Sequence, residues 1–507
     1  MQTRLHIFKM HTIVPACARN AKRLRSTTFR QSLRPVRRWT VMEPNEFAIA
    51  ILAAGKGTRL KSKRAKVLHS IGGKPLLQHV VVAVLKVVPA NQIYVVIGHQ
   101  AEDVEKGVAT SGLKFIRQEE QLGTGHAVQC LRGAVGKSEN LLVLSGDVPL
   151  IRPETIQRLC DFHLAQRAAM TILTARPENP FGYGRILRVE PTGADVAAII
   201  EQKALTPEQQ NLGEINSGIY AFRTDALYRH IDALHSDNAH REYYLTDMAA
   251  ILRAAGERVV ALESGDATEL LGANTIAEMM ELDAAFRLRN AKRLMAEGVT
   301  IFRPETCVID ADVAVGADTI VEPFVQLLGK TRIGEDCRIR SYSVIQNSTL
   351  GNNVLVRNGC VIDEAAIEDS ASIGPFAHLR PQSSIGREAH VGNFVETKKT
   401  RLGERSKANH LAYLGDASIG DGCNIGAGVI TCNYDGVDKH PTQIGDGVFV
   451  GSNATLVAPV KLGYESYIAA ASCITETVAS GALALGRARQ ENKPGWVAKR
   501  KARKRKS

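Results

Sequence analysis

Two glycine loops and one aspartate in the first half of the chain have the residue types that handle phosphates. The run Gly55-Lys56-Gly57 follows a short apolar segment, and a glycine turn after a strand lets backbone N–H groups approach a phosphate. Lys66 follows a few residues later, and a second glycine loop spans 118–126. Asp147 comes directly after another apolar run, and a carboxylate at the end of a parallel strand suits Mg²⁺. These residues together predict phosphate chemistry at one edge of a sheet.

The first loop matches neither of the two common phosphate-binding patterns. The Gly-Lys-Ser/Thr ending of a P-loop is missing, and Leu60 stands where a dinucleotide-binding turn has its third glycine. Taken alone, Gly55-Lys56-Gly57 reads as a tight turn, and a lone Asp147 reads as a helix or turn cap. The hypothesis of a phosphate site therefore depends on the loops, Lys66 and the aspartate occurring together.

Polar clusters interrupt a regular repeat in the second half of the chain. They span 390–399, 407–413 and 431–442. Repeats accept insertions as loops, often on the binding face, so the third cluster is a candidate binding loop. A non-enzymatic scaffold solenoid would need neither this insertion nor His410, although a lone histidine is commonly structural.

The elements that carry these clusters are predicted from a six-residue period between about Val308 and Val478. Helices have a period of 3.6 and exposed strands a period of 2, so a period of six indicates short strands that turn corners. Three hexads close a coil of about 18 residues, which predicts a parallel β-helix of roughly nine or ten coils. The aliphatic positions that should fill its core near the end are Ile444, Val450, Leu456, Leu462, Ile468 and Ile474.

The first half alternates short apolar runs with helical patterns. This alternation predicts βαβ units and a parallel sheet buried on both faces, in a doubly wound α/β domain. One long helix is predicted over 275–297, with Gly298 as its stop. The apolar runs are 47–54, 94–97, 141–144 and 172–174, and the helical patterns are 76–88 and 155–166.

Charge and composition limit the classes of function. The chain has 507 residues and a net charge of +12, of which 1–46 carry +8 and 487–507 carry +9, so the remaining body is acidic at −5. Basic tails of this kind are typical of solvated, disordered ends, with weak phosphate contact as the alternative, and no specific nucleic acid partner is expected. Nine cysteines without a Cys-x-x-Cys pair favour reduced thiols and a cytoplasmic protein. No apolar run reaches membrane-spanning length, so no membrane insertion is expected.

The arginine-rich segment at the start of the chain contains no acidic residue before Glu43. It fits either a transit peptide or a segment upstream of a start at Met42, and the second interpretation is preferred.

Motifs in both halves resemble those of one bacterial enzyme family. They are LAAGKGTRL, AKVLH, EQLGTGH, GDVPL, FGYGRI, EINSGIY and LTD, followed by the hexad repeat. From about Phe47 to Arg500 the chain is similar to the bifunctional UDP-N-acetylglucosamine pyrophosphorylases that are also glucosamine-1-phosphate N-acetyltransferases. The resemblance implies a Rossmann-like nucleotidyltransferase domain, a linker helix and a left-handed parallel β-helix of hexapeptide repeats. It also implies Mg²⁺ as cofactor, UTP and acetyl-CoA as co-substrates, and a homotrimer.

The resemblance assigns activities to the segments of the chain. A glucosamine 1-phosphate would be acetylated in the second half and then uridylylated in the first, giving UDP-N-acetylglucosamine for cell-envelope polysaccharide. The segments are a basic extension over 1–46, the nucleotidyltransferase domain over 47–272, the linker helix over 273–298, the acetyltransferase domain over 299–486 and a basic tail over 487–507.

The resemblance also assigns site residues in the first half. Arg59 and Lys66 would meet phosphates, and Asp147 and Asn274 would bind the metal. The residues implied to bind UTP or UDP-N-acetylglucosamine are Leu52, Ala53, Ala54, Gly55, Lys66, Gln118, Gly123, Thr124, Ser145, Gly146, Asp147, Gly184, Glu201, Asn216 and Asn274. Among them, Gln118, Gly123 and Thr124 would hold the uracil, and Gly184, Glu201 and Asn216 would hold the sugar. Ser145 departs from the family, which usually has an aromatic residue there, so one sugar or ribose contact stays open.

For the second half, the resemblance implies that His410 is the general base of acetyl transfer, because imidazole titrates near neutral pH. Arg380, Lys398, Tyr413 and Asn424 would bind glucosamine 1-phosphate. The residues implied to contact acetyl-CoA are Ala427, Asn433, Tyr434, Ser452, Ala470 and Arg487.

Two alternatives stay open for the second half. The β-helix could serve only as a trimerisation or regulatory module of a nucleotidyltransferase. It could also hold zinc between subunits through His378, His390 and His410, as some hydratases with this repeat do, although these histidines lie in no metal-binding cluster.

Overall fold

The computed structural model of the protein describes residues 46–108, 110–135, 137–238 and 241–504. Met42, the preferred start of the protein, and all of the basic extension except Glu46 lie outside these residues. The helices are α1 (Leu76–Val84), α2 (Ala101–Gly107), α3 (Thr124–Gln129), α4 (Arg132–Val135), α5 (Pro153–Gln166), α6 (Thr224–His230), α7 (Met248–Ala254), α8 (Ile276–Ala296) and α9 (Trp496–Lys504).

The first half is built on a twisted sheet with helices on both faces. Its strands follow the order β11-β7-β10-β6-β1-β4-β5, with β8 and β9 attached through β10, while β2 and β3 form a separate ribbon. The strands are β1 (Phe47–Leu52), β2 (Ser70–Ile71), β3 (Lys74–Pro75), β4 (Ile93–Ile97), β5 (Lys114–Arg117), β6 (Asn140–Ser145), β7 (Met170–Ala175), β8 (Arg185–Arg188), β9 (Val196–Ile200), β10 (Ile215–Arg223) and β11 (Val259–Glu263).

Strand β1 shows why the central strands of this sheet appear in the sequence as continuous apolar runs. Phe47, Ile49 and Ile51 pack into one core layer, and Ala48 and Ala50 pack into the layer on the opposite face. Side chains alternate between the faces of a strand, so a sheet covered by helices on both sides needs apolar residues at every position.

The sheet is mixed, whereas the sequence pattern predicts a parallel one. Strand β10 runs antiparallel to both of its neighbours, β6 and β7. It follows the antiparallel hairpin of β8 and β9 and also pairs with β8. A buried apolar run has the same composition in either direction, so strand polarity is not readable from it.

Helix α8 joins the two halves. Its first turn is capped by Thr275, whose side chain accepts a hydrogen bond from the Glu278 backbone N–H. Further along, Arg287 pairs with Asp283 at 2.7 Å and with Asp310 of the first coil at 2.8 Å. The helix is thereby attached to the solenoid by its side chains as well as by the chain.

The second half is a parallel β-helix. Two of its faces share a 19-stranded sheet and the third face is a 9-stranded sheet. Its strands are β12 (Thr300–Ile301), β13 (Val308–Ile309), β14 (Ala314–Val315), β15 (Ile320–Val321), β16 (Gln326–Leu328), β17 (Arg332–Ile333), β18 (Arg338–Ile339), β19 (Val344–Gln346), β20 (Thr349–Leu350), β21 (Leu355–Val356), β22 (Val361–Asp363), β23 (Ala366–Ile367), β24 (Ser372–Ile373), β25 (His378–Leu379), β26 (Ser384–Ile385), β27 (His390–Lys398), β28 (Arg401–Leu402), β29 (Lys407–Gly415), β30 (Ala417–Ile419), β31 (Asn424–Ile425), β32 (Ile430–Cys432), β33 (Thr442–Ile444), β34 (Phe449–Val450), β35 (Thr455–Val457), β36 (Val460–Leu462), β37 (Tyr467–Ile468), β38 (Cys473–Ile474) and β39 (Leu483–Ala484).

The hexad positions fill the core of this solenoid as predicted. All six aliphatic residues of the late repeat, from Ile444 to Ile474, are buried in one continuous cluster. In a regular coil the partner strand lies one full turn further along the chain, as Leu402 does for Ile385. Ile419 and Ile444 are also register partners, but a longer stretch of chain separates them because their coil carries the predicted insertion as a loop.

The C-terminal tail differs from the expected disordered end. Helix α9 is exposed along its whole length, and the Arg500 guanidinium lies 5.3 Å from the centre of the Trp496 ring, one turn away. Spacing of i and i+4 on a helix permits this contact, which the charge count alone does not reveal. Within the described ranges, every helix is too short or too polar to cross a membrane.

Candidate active sites

The predicted phosphate and metal residues meet at the carboxyl ends of β1 and β6. Lys66 forms an ion pair with Asp147 and also donates a hydrogen bond to Asn274 Oδ1 at 2.9 Å. Arg59 donates to the same oxygen at 2.8 Å. The fold therefore brings together four side chains that lie far apart in the sequence.

Backbone hydrogen bonds hold the two segments that carry Asp147 and Asn274. Asp147 comes two residues after the end of β6. The intervening Gly146 donates its backbone N–H to the Leu52 carbonyl at 2.9 Å. Asn274 precedes α8, and its backbone N–H donates to Glu278 at 2.7 Å. Glu278 was not predicted; its position in the first turn of a predicted helix, shortly after Asn274, is the signal that could have indicated it.

The donor set fits a magnesium ion. The Asp147 carboxylate and the Asn274 amide oxygen are hard oxygen donors, and the two converge on a single cation, Lys66 Nζ. Mg²⁺ is commonly bound by one or two protein oxygens, with water and substrate phosphates completing the shell. Within the described residues there is no grouping of three or more His, Cys, Asp and Glu side chains that could hold a metal by itself.

The predicted uracil residues form a neighbouring group. Gln118 Nε2 donates to the Gly123 carbonyl at 3.0 Å, and the Thr124 hydroxyl accepts the Leu245 backbone N–H at 3.0 Å. Gly98 packs closely between Ala54 and Gln118, since a Cβ added there would lie 3.0 Å from the Ala54 Cβ and 3.1 Å from the Gln118 carbonyl oxygen. This close approach connects the uracil group to the loop after β1.

The predicted sugar residues form a third group. Asn216 donates its backbone N–H to the Gly184 carbonyl at 2.9 Å, and the Cα of Gly184 faces the Glu201 carboxylate. Burial, and then the nearby Asp247, raise the pKa of Glu201. Ser145 borders this group, because a side chain added at Gly218 would come within 4.0 Å of its hydroxyl. The uridylyl residues thus form three adjacent clusters along one edge of the sheet.

In the β-helix, His410 lies on β29 directly beside Asn393 of β27. Its Nδ1 is 2.9 Å from Asn393 Oδ1. An amide oxygen can only accept, so Nδ1 carries the proton and Nε2 presents a lone pair. The ring is exposed to solvent. Asn393 was not predicted; it occupies the position of His410 in the preceding coil, and that repeat relation is the sequence signal for it.

The predicted sugar-phosphate residues lie in the same coils. Arg380 pairs with Glu396 at 2.8 Å, and Glu396 is the register partner of Tyr413. The charges of Lys439 and then Arg380 lower the pKa of Lys398, so three cations converge on one place. Lys439 belongs to the insertion loop and was missed, because no repeat position predicts where a loop side chain returns.

Asn424 of β31 is the register partner of Lys407, and Lys407 lies on β29, the strand that carries His410. Nearby, His390 has a pKa lowered by burial and then by the charge of Arg357. His390 therefore has cationic neighbours, and positive neighbours oppose the binding of a zinc ion at this histidine.

The predicted acetyl-CoA residues fall into two groups. Ala427, Ser452 and Ala470 lie at one corner of successive coils, and Arg487 donates to the Ala470 carbonyl at 2.7 Å. Asn433 and Tyr434 lie in the insertion loop, where Asn433 donates to Asp416 and Tyr434 donates to the Gly436 carbonyl at 2.6 Å. Among the described contacts, none joins the loop pair to the corner group.

The fold and these two sites define a nucleotidyltransferase joined to a hexapeptide acyltransferase. Residues 49–244 match the MobA-like NTP transferase domain, 330–364 match the bacterial transferase hexapeptide (six repeats), and 441–476 match the hexapeptide repeat of succinyl-transferase. The bifunctional protein GlmU of Koribacter versatilis is 60% identical over 91% of this chain and 98% of its own. The bifunctional protein GlmU of Solibacter usitatus is 50% identical over 90% and 98%.

A solved UDP-glucose pyrophosphorylase complexed with UDP-glucose aligns with 47% of this chain and 97% of its own, at 18% identity and a TM-score of 0.38. The full-length relatives are far more similar, and the chain belongs to the GlmU family of bifunctional proteins. It is a uridylyltransferase and glucosamine-1-phosphate acetyltransferase of UDP-N-acetylglucosamine synthesis. The interpretation of the β-helix as a module without activity is therefore set aside.

Proposed function

We propose that the two reactions of this enzyme take place at the two clusters described above. Uridylyl transfer would use the edge of the sheet around Asp147, and acetyl transfer would use the coils around His410. The observation that carries the first assignment is the convergence of Arg59, Lys66, Asp147 and Asn274. The observation that carries the second is the His410–Asn393 hydrogen bond beside a group of three cations.

In the uridylyl site, Arg59 and Lys66 neutralise the phosphates of UTP while an oxygen of N-acetylglucosamine 1-phosphate attacks the α-phosphorus and pyrophosphate leaves. Such transfers need positioning and charge neutralisation more than covalent catalysis by the protein. Asp147 and Asn274 would hold Mg²⁺, which would supply positive charge to neutralise the phosphates of UTP. Lys66 Nζ, which contacts both donors, would then turn to the phosphates.

In the acetyl site, His410 Nε2 takes a proton from the amine of glucosamine 1-phosphate. The amine nitrogen attacks the acetyl carbonyl of acetyl-CoA, the C–S bond breaks, and the CoA thiolate takes the proton held by His410 and leaves as a thiol. Arg380, Lys398 and Lys439 provide the positive charge for the sugar phosphate. No acyl-enzyme is needed, and burial raises the pKa of the nearby Cys423 thiol, which leaves it a poor nucleophile.

We also propose a trimer formed through the β-helix. Large apolar side chains line one corner of the coils and remain exposed; they are Phe324, Tyr342, Phe376, Phe394 and Leu411. The first two rings stack with their centres 5.2 Å apart, and the next two at 5.8 Å. An exposed apolar ridge of this length marks an interaction surface. Leu411 is adjacent to His410, so a second copy on this ridge would border the acetyl site.

A cytoplasmic location is part of this proposal. The cysteines of the described residues are all free thiols, and every one except Cys473 is partly or fully buried. Free thiols of this kind are typical of proteins in a reducing compartment.

One assay separates the two proposed sites. The enzyme receives glucosamine 1-phosphate, acetyl-CoA, UTP and Mg²⁺, and thiol and pyrophosphate are followed separately. We expect His410→Ala to abolish thiol release while pyrophosphate still forms from supplied N-acetylglucosamine 1-phosphate. Asp147→Ala should give the opposite pattern. Intact thiol release by His410→Ala would show that another group is the base.

A further inference from the structure

A cavity of about 710 Å³ lies at the end of the sheet opposite the uridylyl site. Asn140, the first residue of β6, and Arg223, the last residue of β10, are paired across the sheet, and both line the cavity. Strand β6 leads from here to Ser145 and Asp147. At about 3.3 Å per residue, an occupant would lie roughly 20 Å from Asp147. It therefore could not touch the reacting atoms.

The cavity is lined by more positive than negative side chains. Its two carboxylates are Glu139 and Asp225. Its four cations are Arg132, Lys137, Arg167 and Arg223. The difference of these two sets is a charge of +2, which favours an anionic occupant.

Two of the four cations already have partners. Arg132 pairs with Asp232 at 2.7 Å, and Arg223 pairs with Asp225 at 2.7 Å. In the described part of the chain, neither Lys137 nor Arg167 makes an ion pair. Among the described ion pairs, the lining residues left without one are the two cations Lys137 and Arg167 and the carboxylate Glu139, and the remaining positive charge favours an anion.

The remaining wall offers one polar group and an apolar surface. Thr224 is only 7% exposed, and its hydroxyl has no hydrogen-bond partner, so an acceptor that reaches it would satisfy a buried donor. Leu164 and Ala168 supply apolar contacts. His163 adds no charge, because burial lowers its pKa to about 4 and it is neutral near pH 7.

We propose that this cavity binds a small organic phosphate, with the phosphate between Lys137 and Arg167 and the organic part against Leu164 and Ala168. A phosphate monoester would bring negative charge to the two lining cations that have no partner, Lys137 and Arg167. Phosphate oxygens can accept charge-assisted hydrogen bonds from a lysine and an arginine that come from two different elements. Because of its distance from the chemistry, the ligand would be an effector rather than a substrate.

Calorimetry with phenyl phosphate tests the proposal. The full chain is first saturated with UDP-N-acetylglucosamine and CoA, so that both catalytic sites are filled. We expect the parent protein to bind phenyl phosphate, with an affinity that falls as salt is added. The Lys137→Ala/Arg167→Ala double variant should bind at least about tenfold more weakly. Lys292→Ala, which removes an exposed cation of α8 outside the cavity, should bind as the parent does.

Two further measurements identify the source of any effect. Benzyl alcohol, which lacks the charge, should not bind, and Thr224→Val should weaken phenyl phosphate binding without changing the charge of the cavity. Thermal unfolding checks that each variant is folded. Absence of binding to the filled parent protein, or equal affinity in the folded double variant, would overturn the proposal.

Discussion

His410 Nδ1 lies 2.9 Å from Asn393 Oδ1, across two neighbouring coils of the β-helix. The amide oxygen selects the tautomer in which Nε2 is the free base, and it holds the ring in one orientation. Asn393 is thus a positioning residue for the base rather than a group that touches the reacting atoms.

Loss of this hydrogen bond should slow acetyl transfer. We expect Asn393→Ala to lower kcat for thiol release by roughly 10- to 100-fold, because the ring is no longer held in the reactive orientation. Gln443→Ala, an exposed amide on the third face of the solenoid, is the matched control and should have parent activity. Parent kcat in a folded Asn393→Ala variant would argue against direct contact between the two side chains in solution.

Asp147 should determine the metal requirement of uridylyl transfer. Asp147→Asn removes the one carboxylate among the paired oxygen donors. We expect pyrophosphate release to fall by about 100-fold and to need more Mg²⁺ for half-maximal rate. Thiol release from acetyl-CoA serves as the internal control and should not change. A parent-like Mg²⁺ titration would move the metal site elsewhere.

Lys439 should contribute to sugar-phosphate binding. It is the largest cause of the lowered pKa of Lys398, so its charge lies close to that group. We expect Lys439→Ala to raise KM for glucosamine 1-phosphate by about tenfold with a smaller effect on kcat, since a charge-assisted phosphate contact is lost. Lys461→Ala, on the third face of the solenoid, is the control. Equal KM values for the two variants would exclude Lys439 from the site.

The buried His163 should make the first domain less stable in acid. Its pKa is lowered to about 4 in the folded protein, by burial first and then by the charge of Arg223. Between that value and the unfolded value of about 6.5, only the unfolded chain binds the proton, so stability is complete above pH 6.5 and is lost as the pH falls towards 4. The shift corresponds to about 3 kcal/mol. Chemical denaturation from pH 7.5 to 4.5 should show a weaker pH dependence in His163→Gln.

Gly392 should be required for the close approach of β27 and β29. A side chain there would overlap the backbone carbonyl of Asn409, next to His410. We expect Gly392→Ala to lower the free energy of unfolding by about 1–3 kcal/mol and to reduce thiol release more than pyrophosphate release. Gly265→Ala introduces a methyl group into open space and is the control. Parent stability in Gly392→Ala would mean that the two strands separate without cost.

The sequence by itself determined the architecture of the second half. Aliphatic residues at every sixth position, such as Val450 and Leu456, occupy the same place in successive hexads, so their burial follows from the period alone. The apolar runs of the first half likewise predicted buried strands such as β1 and β6. In both cases the signal is local, because burial is written into the spacing of apolar residues.

Only the tertiary structure decided the direction of β10, the helical form of the tail and which polar side chains touch. Arg59 and Asn274 meet although they lie at opposite ends of the first domain's sequence, and Lys439 returns to Lys398 through a loop outside the repeat. Asn393 is the intermediate case, since the coil length brings it beside His410 once the repeat is known. Contacts between distant residues depend on how whole elements pack, and the local pattern of apolar and polar residues does not encode that packing.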